Sequence, residues 1–89
     1  PQTPIATTRT GVTAWVVQVG SFNSEENAEA LVKRLRQGGY GAFIEQLRNE
    51  ADLAYRVRVG PELKKISADN IRDALARDID IDGIVVRYP

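Results

Sequence analysis

The stretch Trp15-Val16-Val17-Gln18-Val19-Gly20-Ser21 returns forty positions later as Tyr55-Arg56-Val57-Arg58-Val59-Gly60-Pro61. Both copies read aromatic, x, Val, polar, Val, Gly, and a helix-like segment follows each. Self-similarity at a fixed offset marks a repeated supersecondary unit. A period of two sends Trp15, Val17 and Val19 to one side of a sheet, with Tyr55, Val57 and Val59. Val16, Gln18, Arg56 and Arg58 go to the other side. Two strands with one apolar and one largely polar face predict a sheet covered by helices on one side and open on the other. The open side is where function is expected.

Working outward, residues 14–20 form the first strand, and Asn23 or Ser24 caps the helix that follows. Asn23 with Glu26 has the spacing of a capping box, and Glu25 and Glu26 suit the positive end of the helix dipole. Ala28, Leu31, Val32 and Leu35 recur at i, i+3, i+4, i+7, giving one apolar stripe, and Gly38-Gly39 ends the helix. Residues 41–47 read as a second strand with Ala42 and Ile44 inward and Phe43 outward. A polar turn over 48–52 leads into a third strand over 53–60. Pro61 suits the start of a second helix, with Ser67 as an alternative cap, and Ile66, Ile71, Ala74 and Leu75 as its apolar stripe. Residues 83–88 make the fourth strand, with Ile84 and Val86 toward the core and Val85 and Arg87 outward. The order βαββαβ predicts an α+β two-layer sandwich of ferredoxin or RNP type. A four-stranded antiparallel sheet carries both helices on one face, and the two similar strands pair at its centre. Residues 1–13, rich in Thr and Pro without periodicity, read as a flexible linker, and residues 14–89 as the domain.

Composition narrows the chemistry. The chain has 89 residues, twelve basic and twelve acidic, with neither cysteine nor histidine. One small domain is expected, without disulfides and without the ligands of a zinc or haem site. A net charge of zero provides no global field toward nucleic acid or an anionic membrane. No apolar run approaches the roughly 20 residues of a membrane span. Asp78-Ile79-Asp80-Ile81-Asp82-Gly83 matches half of a calcium loop, but Pro89 stands where the bidentate Glu belongs. The plainer reading is an acidic turn whose Ile79 and Ile81 plug the end of the core. Gly39-Tyr40-Gly41-Ala42-Phe43 resembles an aromatic RNA-binding signature, yet it opens the second strand, whereas that signature belongs on the third. Without histidine or thiol, acid–base and nucleophilic catalysis have little support, so no enzyme activity and no cofactor are expected.

By alternation the open face collects Val16, Gln18, Phe43, Arg56, Arg58, Val85 and Arg87. An aromatic ring stacks on the C–H face of a sugar, an amide supplies donor and acceptor, and arginine grips carboxylates. That set suits an extended polymer bearing hydroxyls, acetamido groups and spaced carboxylates. The arginines also have the plain role of keeping an exposed sheet soluble, and Ser21 that of turning the chain toward the helix. Gln18 between two valines is harder to explain structurally, because strands favour β-branched and aromatic residues there.

The phrases Trp15-Val16-Val17-Gln18-Val19-Gly20-Ser21-Phe22, Gly39-Tyr40, Tyr55-Arg56-Val57-Arg58-Val59-Gly60-Pro61 and Gly83-Ile84-Val85-Val86-Arg87, in this order, resemble a SPOR domain. This is the sporulation-related repeat of bacterial cell-envelope proteins, and the match covers residues 13–89. The resemblance implies binding of peptidoglycan, with preference for glycan strands denuded of stem peptides by amidases, and hence targeting to the division septum. It implies a periplasmic domain of an inner-membrane-anchored protein whose anchor lies outside this sequence, with other divisome proteins as further partners and no nucleic acid. The ligand would cross the open face at Gln18, Ser21, Arg58, Val85 and Arg87; Arg56 and Phe43 are added by face assignment. Leu63, Lys64, Lys65 and Asp69 depart from the Ala-rich second helix of the family. The rival readings are a protein-docking module of the divisome and an RRM-like RNA-binding domain.

Overall fold

A computed structural model of the chain describes residues 13–50 and 52–89. The linker reading therefore lies, apart from Thr13, outside the described residues. Along the chain run β1 (Ala14–Phe22), α1 (Glu25–Gln37), β2 (Ala42–Arg48), β3 (Leu53–Glu62), α2 (Lys65–Ile79) and β4 (Ile84–Tyr88). The strands lie in the order β2-β3-β1-β4, every neighbouring pair antiparallel. This is the expected βαββαβ sandwich, with the two repeated phrases side by side at the centre. Val17, Tyr55, Val57 and Val59 from those strands pack in one cluster with Ala28, Val32 and Leu35 of α1 and Ala68 and Leu75 of α2. Both helices therefore cover the same face.

The start of α1 follows from Ser24, whose Oγ accepts the Asn27 amide at 3.2 Å. Ser24, rather than Asn23 paired with Glu26, is thus the cap. At the other end the Tyr40 amide reaches back to the Leu35 carbonyl at 3.0 Å. Closing that loop requires a left-handed residue, and Gly39 supplies it at φ 91°. Arg36 ties α1 to the sheet edge, its Nε donating to the Ala42 carbonyl at 3.0 Å.

Two slips in the central ladder shape the sheet. Trp15 stands opposite Glu62 but Val17 opposite Val59, so β3 carries one extra residue around Gly60, which has φ 127°. Gln18 stands opposite Arg58 but Gly20 opposite Val57, so β1 carries one extra residue at Val19. Such bulges bend a strand and re-aim the side chains beyond them.

The first bulge corrects the reading of Pro61. It is not a helix residue: β3 continues through it to Glu62, and α2 begins at Lys65 behind an N-cap, Lys64, that makes no side-chain capping bond. The core-facing stripe of α2 is Ala68 and Leu75, both buried, with Ile71 and Ile79 partly buried beside them, while Ile66 is 61% exposed. Asp80 ends the helix in the left-handed region at φ 56°. Ile79 and Ile81 pack against the core, as the acidic-turn reading expects. Among the described residues no helix is long and apolar enough to cross a membrane.

Candidate ligand-binding face

Gln18 and Arg58 occupy equivalent positions in the two repeats, and antiparallel pairing about the pseudo-dyad sets them directly opposite each other at the centre of the sheet. Both project away from the helices. Arg58 is almost wholly buried at 9% exposure, although no helix covers it. Its Nη1 pairs with Glu45 Oε1, and its Nη2 donates to Gln18 Oε1 at 3.2 Å. Its guanidinium carbon lies 5.9 Å from the centre of the Tyr88 ring, while Nε is buried without a partner.

An aromatic roof explains this burial. Phe43 on β2 and Tyr88 on β4 belong to opposite edges of the sheet, yet their ring centres are 5.8 Å apart, edge to face. Strands about 4.8 Å apart set those edges too far apart for contact unless both side chains lie inward across β3 and β1. Val16, outside the helix-side cluster, is nevertheless fully buried. One end of the open face is therefore a second small hydrophobic layer.

The other end is accessible, and the β1 bulge builds it. Strict alternation from Gln18 would turn Ser21 inward. With Val19 as the extra residue, Ser21 instead stands opposite Arg56, and Phe22 returns to the core side opposite Tyr55. Gly20 takes the inward position, where a Cβ would approach Phe22 to 2.9 Å and Leu31 to 3.4 Å. The row across the sheet is Glu45, Arg56, Ser21. Since Glu45 is engaged by Arg58, the Arg56 guanidinium has no acidic partner among the described residues. Beside this row lies a hollow of about 210 Å3 lined by Gln18, Ser21, Asp82, Gly83 and Ile84. Sites that enclose a small molecule run roughly 300–1,000 Å3, so this hollow suits one pendant group of a longer ligand.

The structure corrects the faces of β4. Val85 stands opposite Val17 and packs against the core; Arg87 stands opposite Trp15, its guanidinium carbon 5.7 Å from that ring. Both are on the helix side, so neither joins Gln18 and Arg56. Ile84, Val86 and Tyr88 face outward instead. The cause is Gly83, which shares the parity of Val85 and presses on β1: a Cβ there would meet Val17 at 2.6 Å and Val19 at 3.0 Å. The expected set thus divides. Gln18, Ser21, Phe43, Arg56 and Arg58 share the open face, with Arg58 beneath the roof and Phe43 part of it. Glu45 and Tyr88 are additions. Glu45 was readable from its alternation with Phe43; Tyr88 was hidden by the inverted β4.

The SPOR domain family model matches residues 11–87. This chain belongs to the SPOR domain family. Its backbone is similar to that of the SPOR fold in solved structures. The peptidoglycan-binding domain of the Bacillus subtilis cell wall lytic enzyme CwlC is 26% identical, with 86% of this chain and 91% of that chain covered and a TM-score of 0.69. The SPOR protein DedD is 25% identical over 85% of this chain and 39% of its own, at 0.66. The RlpA SPOR domain of Pseudomonas aeruginosa shares the fold at 0.69, with 23% identity over 82% of this chain and 96% of its own. No curated protein sequence matches the chain.

Proposed function

We propose that this SPOR domain is a non-catalytic binding module for peptidoglycan, and that it prefers glycan strands denuded of stem peptides. The observation that carries the reading is Arg56, a guanidinium on the accessible half of the open face with no acidic partner, beside the Ser21 hydroxyl and the Gln18 hollow. CwlC, whose similar domain is described as peptidoglycan-binding, supports the polymer class.

Chemistry supplies the preference. Removing a stem peptide leaves a free lactyl carboxylate on the muramic acid residue, to which Arg56 can donate. A strand that keeps its peptides presents a neutral amide there, and the peptides crowd the sheet. A gained charge pair and a steric clash act together against the commoner polymer. A charge-assisted hydrogen bond contributes about 1.5–3 kcal/mol when shielded and less at a wet surface. Affinity per site is accordingly modest, and repeated engagement along a polymer strengthens it. Denuded strands concentrate where amidases act during division. The module would therefore target a periplasmic, inner-membrane-anchored parent to the septum, where other divisome proteins are its neighbours.

The test is co-sedimentation of the purified domain with isolated sacculi before and after amidase digestion. Several-fold greater retention on the digested sacculi is expected. Equal retention on both would remove the preference, and no retention on either would remove the peptidoglycan reading. Retention on poly-uridine at physiological salt would favour RNA instead.

A further inference from the structure

We propose that Arg58 does not touch the ligand but is a positioning residue, which together with Glu45 fixes the Gln18 amide so that its NH2 group is turned to the ligand. The Gln18 position then selects a ligand group that accepts, of which the carbonyl oxygen of an acetamido substituent is the fitting class. This rests on the reading of the open face as the glycan site and assigns a polarity to one part of it.

A free glutamine side chain offers one acceptor oxygen and two N–H donors, and rotation of the amide exchanges their positions. Here the oxygen is turned to Arg58, whose Nη2 donates to one of its two lone pairs at 3.2 Å. Arginine has donors and no acceptor, so the reverse orientation would set the Gln18 NH2 against a cation with nothing to receive its protons. Only one orientation of the amide is compatible with its neighbour. No residue among those described accepts from Gln18 Nε2, which is left to the hollow bordered by Ser21, Asp82 and Ile84.

Arg58 is itself immobilised from three sides. Glu45 holds Nη1, the Tyr88 ring packs against the guanidinium, and Gln18 takes Nη2. Its side chain is only 11% exposed, whereas that of Glu45 is 38% exposed. A ligand lying on the face cannot displace Glu45 and open the roof merely to reach this guanidinium when Arg56 is accessible beside it. The order Glu45, Arg58, Gln18 is therefore a relay of fixed hydrogen bonds that ends at the ligand surface.

The test is a double-mutant cycle with peptide-free glycan strands as the probe, read by retention and by the side-chain amide resonances of Gln18. Gln18→Met keeps the length and removes the donors; Arg58→Met fills the buried position without a charge. Each single change is expected to weaken binding about ten-fold, the scale of one lost hydrogen bond. The double variant is expected to lose no more than either single one, because Arg58 acts through Gln18. Addition of the ligand is expected to move the Gln18 NH2 resonances in the native protein, and Arg58→Met to remove that response.

Losses that multiply to about a hundred-fold in the double variant would show that Arg58 contacts ligand itself and would overturn the proposal. So would an Arg58→Met protein whose Gln18 amide responds as in the native domain. Should Arg58→Met not fold, Glu45→Gln at its half-exposed position replaces it. A loss of two- to three-fold that disappears in the Gln18→Met background is then expected, and its persistence there overturns the proposal. A native domain that binds no glycan strand at all would instead sink the reading of the face, a separate outcome from failure of the relay.

Discussion

Arg56→Glu is expected to reduce retention on amidase-treated sacculi to the level seen with untreated sacculi, while the thermal melt stays close to that of the native domain. The substitution removes the accessible cation and adds a carboxylate where the lactyl carboxylates would lie, so attraction becomes repulsion. Half-buried and without an acidic partner, Arg56 holds nothing in the fold that its loss would release. The new carboxylate stands opposite Glu45, and a like-charge cross-strand pair costs up to about 1 kcal/mol, so the melt should fall by a few degrees at most. High salt should weaken the native interaction for the same reason, because exposed charge pairs are screened within about 10 Å at 0.1 M. Undiminished retention of Arg56→Glu would show that this guanidinium is not a ligand contact.

Leu35→Ala is expected to have the largest effect on stability. Leu35 is fully buried in the cluster that joins α1 to the sheet, and its carbonyl also accepts the Tyr40 amide that closes the helix end. Truncating a buried leucine costs about 2–5 kcal/mol, according to how far the cavity collapses. A domain of this size is stable by only about 4–13 kcal/mol, at roughly 0.05–0.15 kcal/mol per residue. One truncation therefore removes a large share of the total. At about 4–8 °C per kcal/mol for a small domain, the midpoint should fall by roughly 10 °C or more. A change of only a degree or two by calorimetry would mean that Leu35 is not part of a tightly packed core.

The repeated phrase was enough to place the two central strands, and the 3.6-residue spacing of Ala28, Leu31, Val32 and Leu35 was enough to place α1. These signals are local, and tertiary packing reinforces them. What the sequence concealed was produced by contacts between distant residues. Pro61 after Gly60 has the form of a helix start, but a bulge keeps it in β3, which runs on to Glu62 opposite Trp15. In β4 both parities are apolar enough to face a core, and the more hydrophobic set, Ile84 and Val86, lies outward. Gly83 decides the matter through its close approach to Val17 and Val19, which no pattern within β4 encodes. The open face was legible in Gln18, Arg56 and Arg58. The division of labour between the two arginines was not, because it depends on where Glu45 and Tyr88 reach from neighbouring strands.

Passage of glycan across the uncovered side of the sheet, at its unroofed end, can be measured directly. Peptide-free glycan strands are titrated into isotope-labelled domain, and backbone amide shifts are followed residue by residue. The largest changes are expected at Gln18, Ser21, Arg56 and Ile84, with the outer faces of α1 and α2 unmoved. Changes centred on either helix, with those four residues silent, would contradict it.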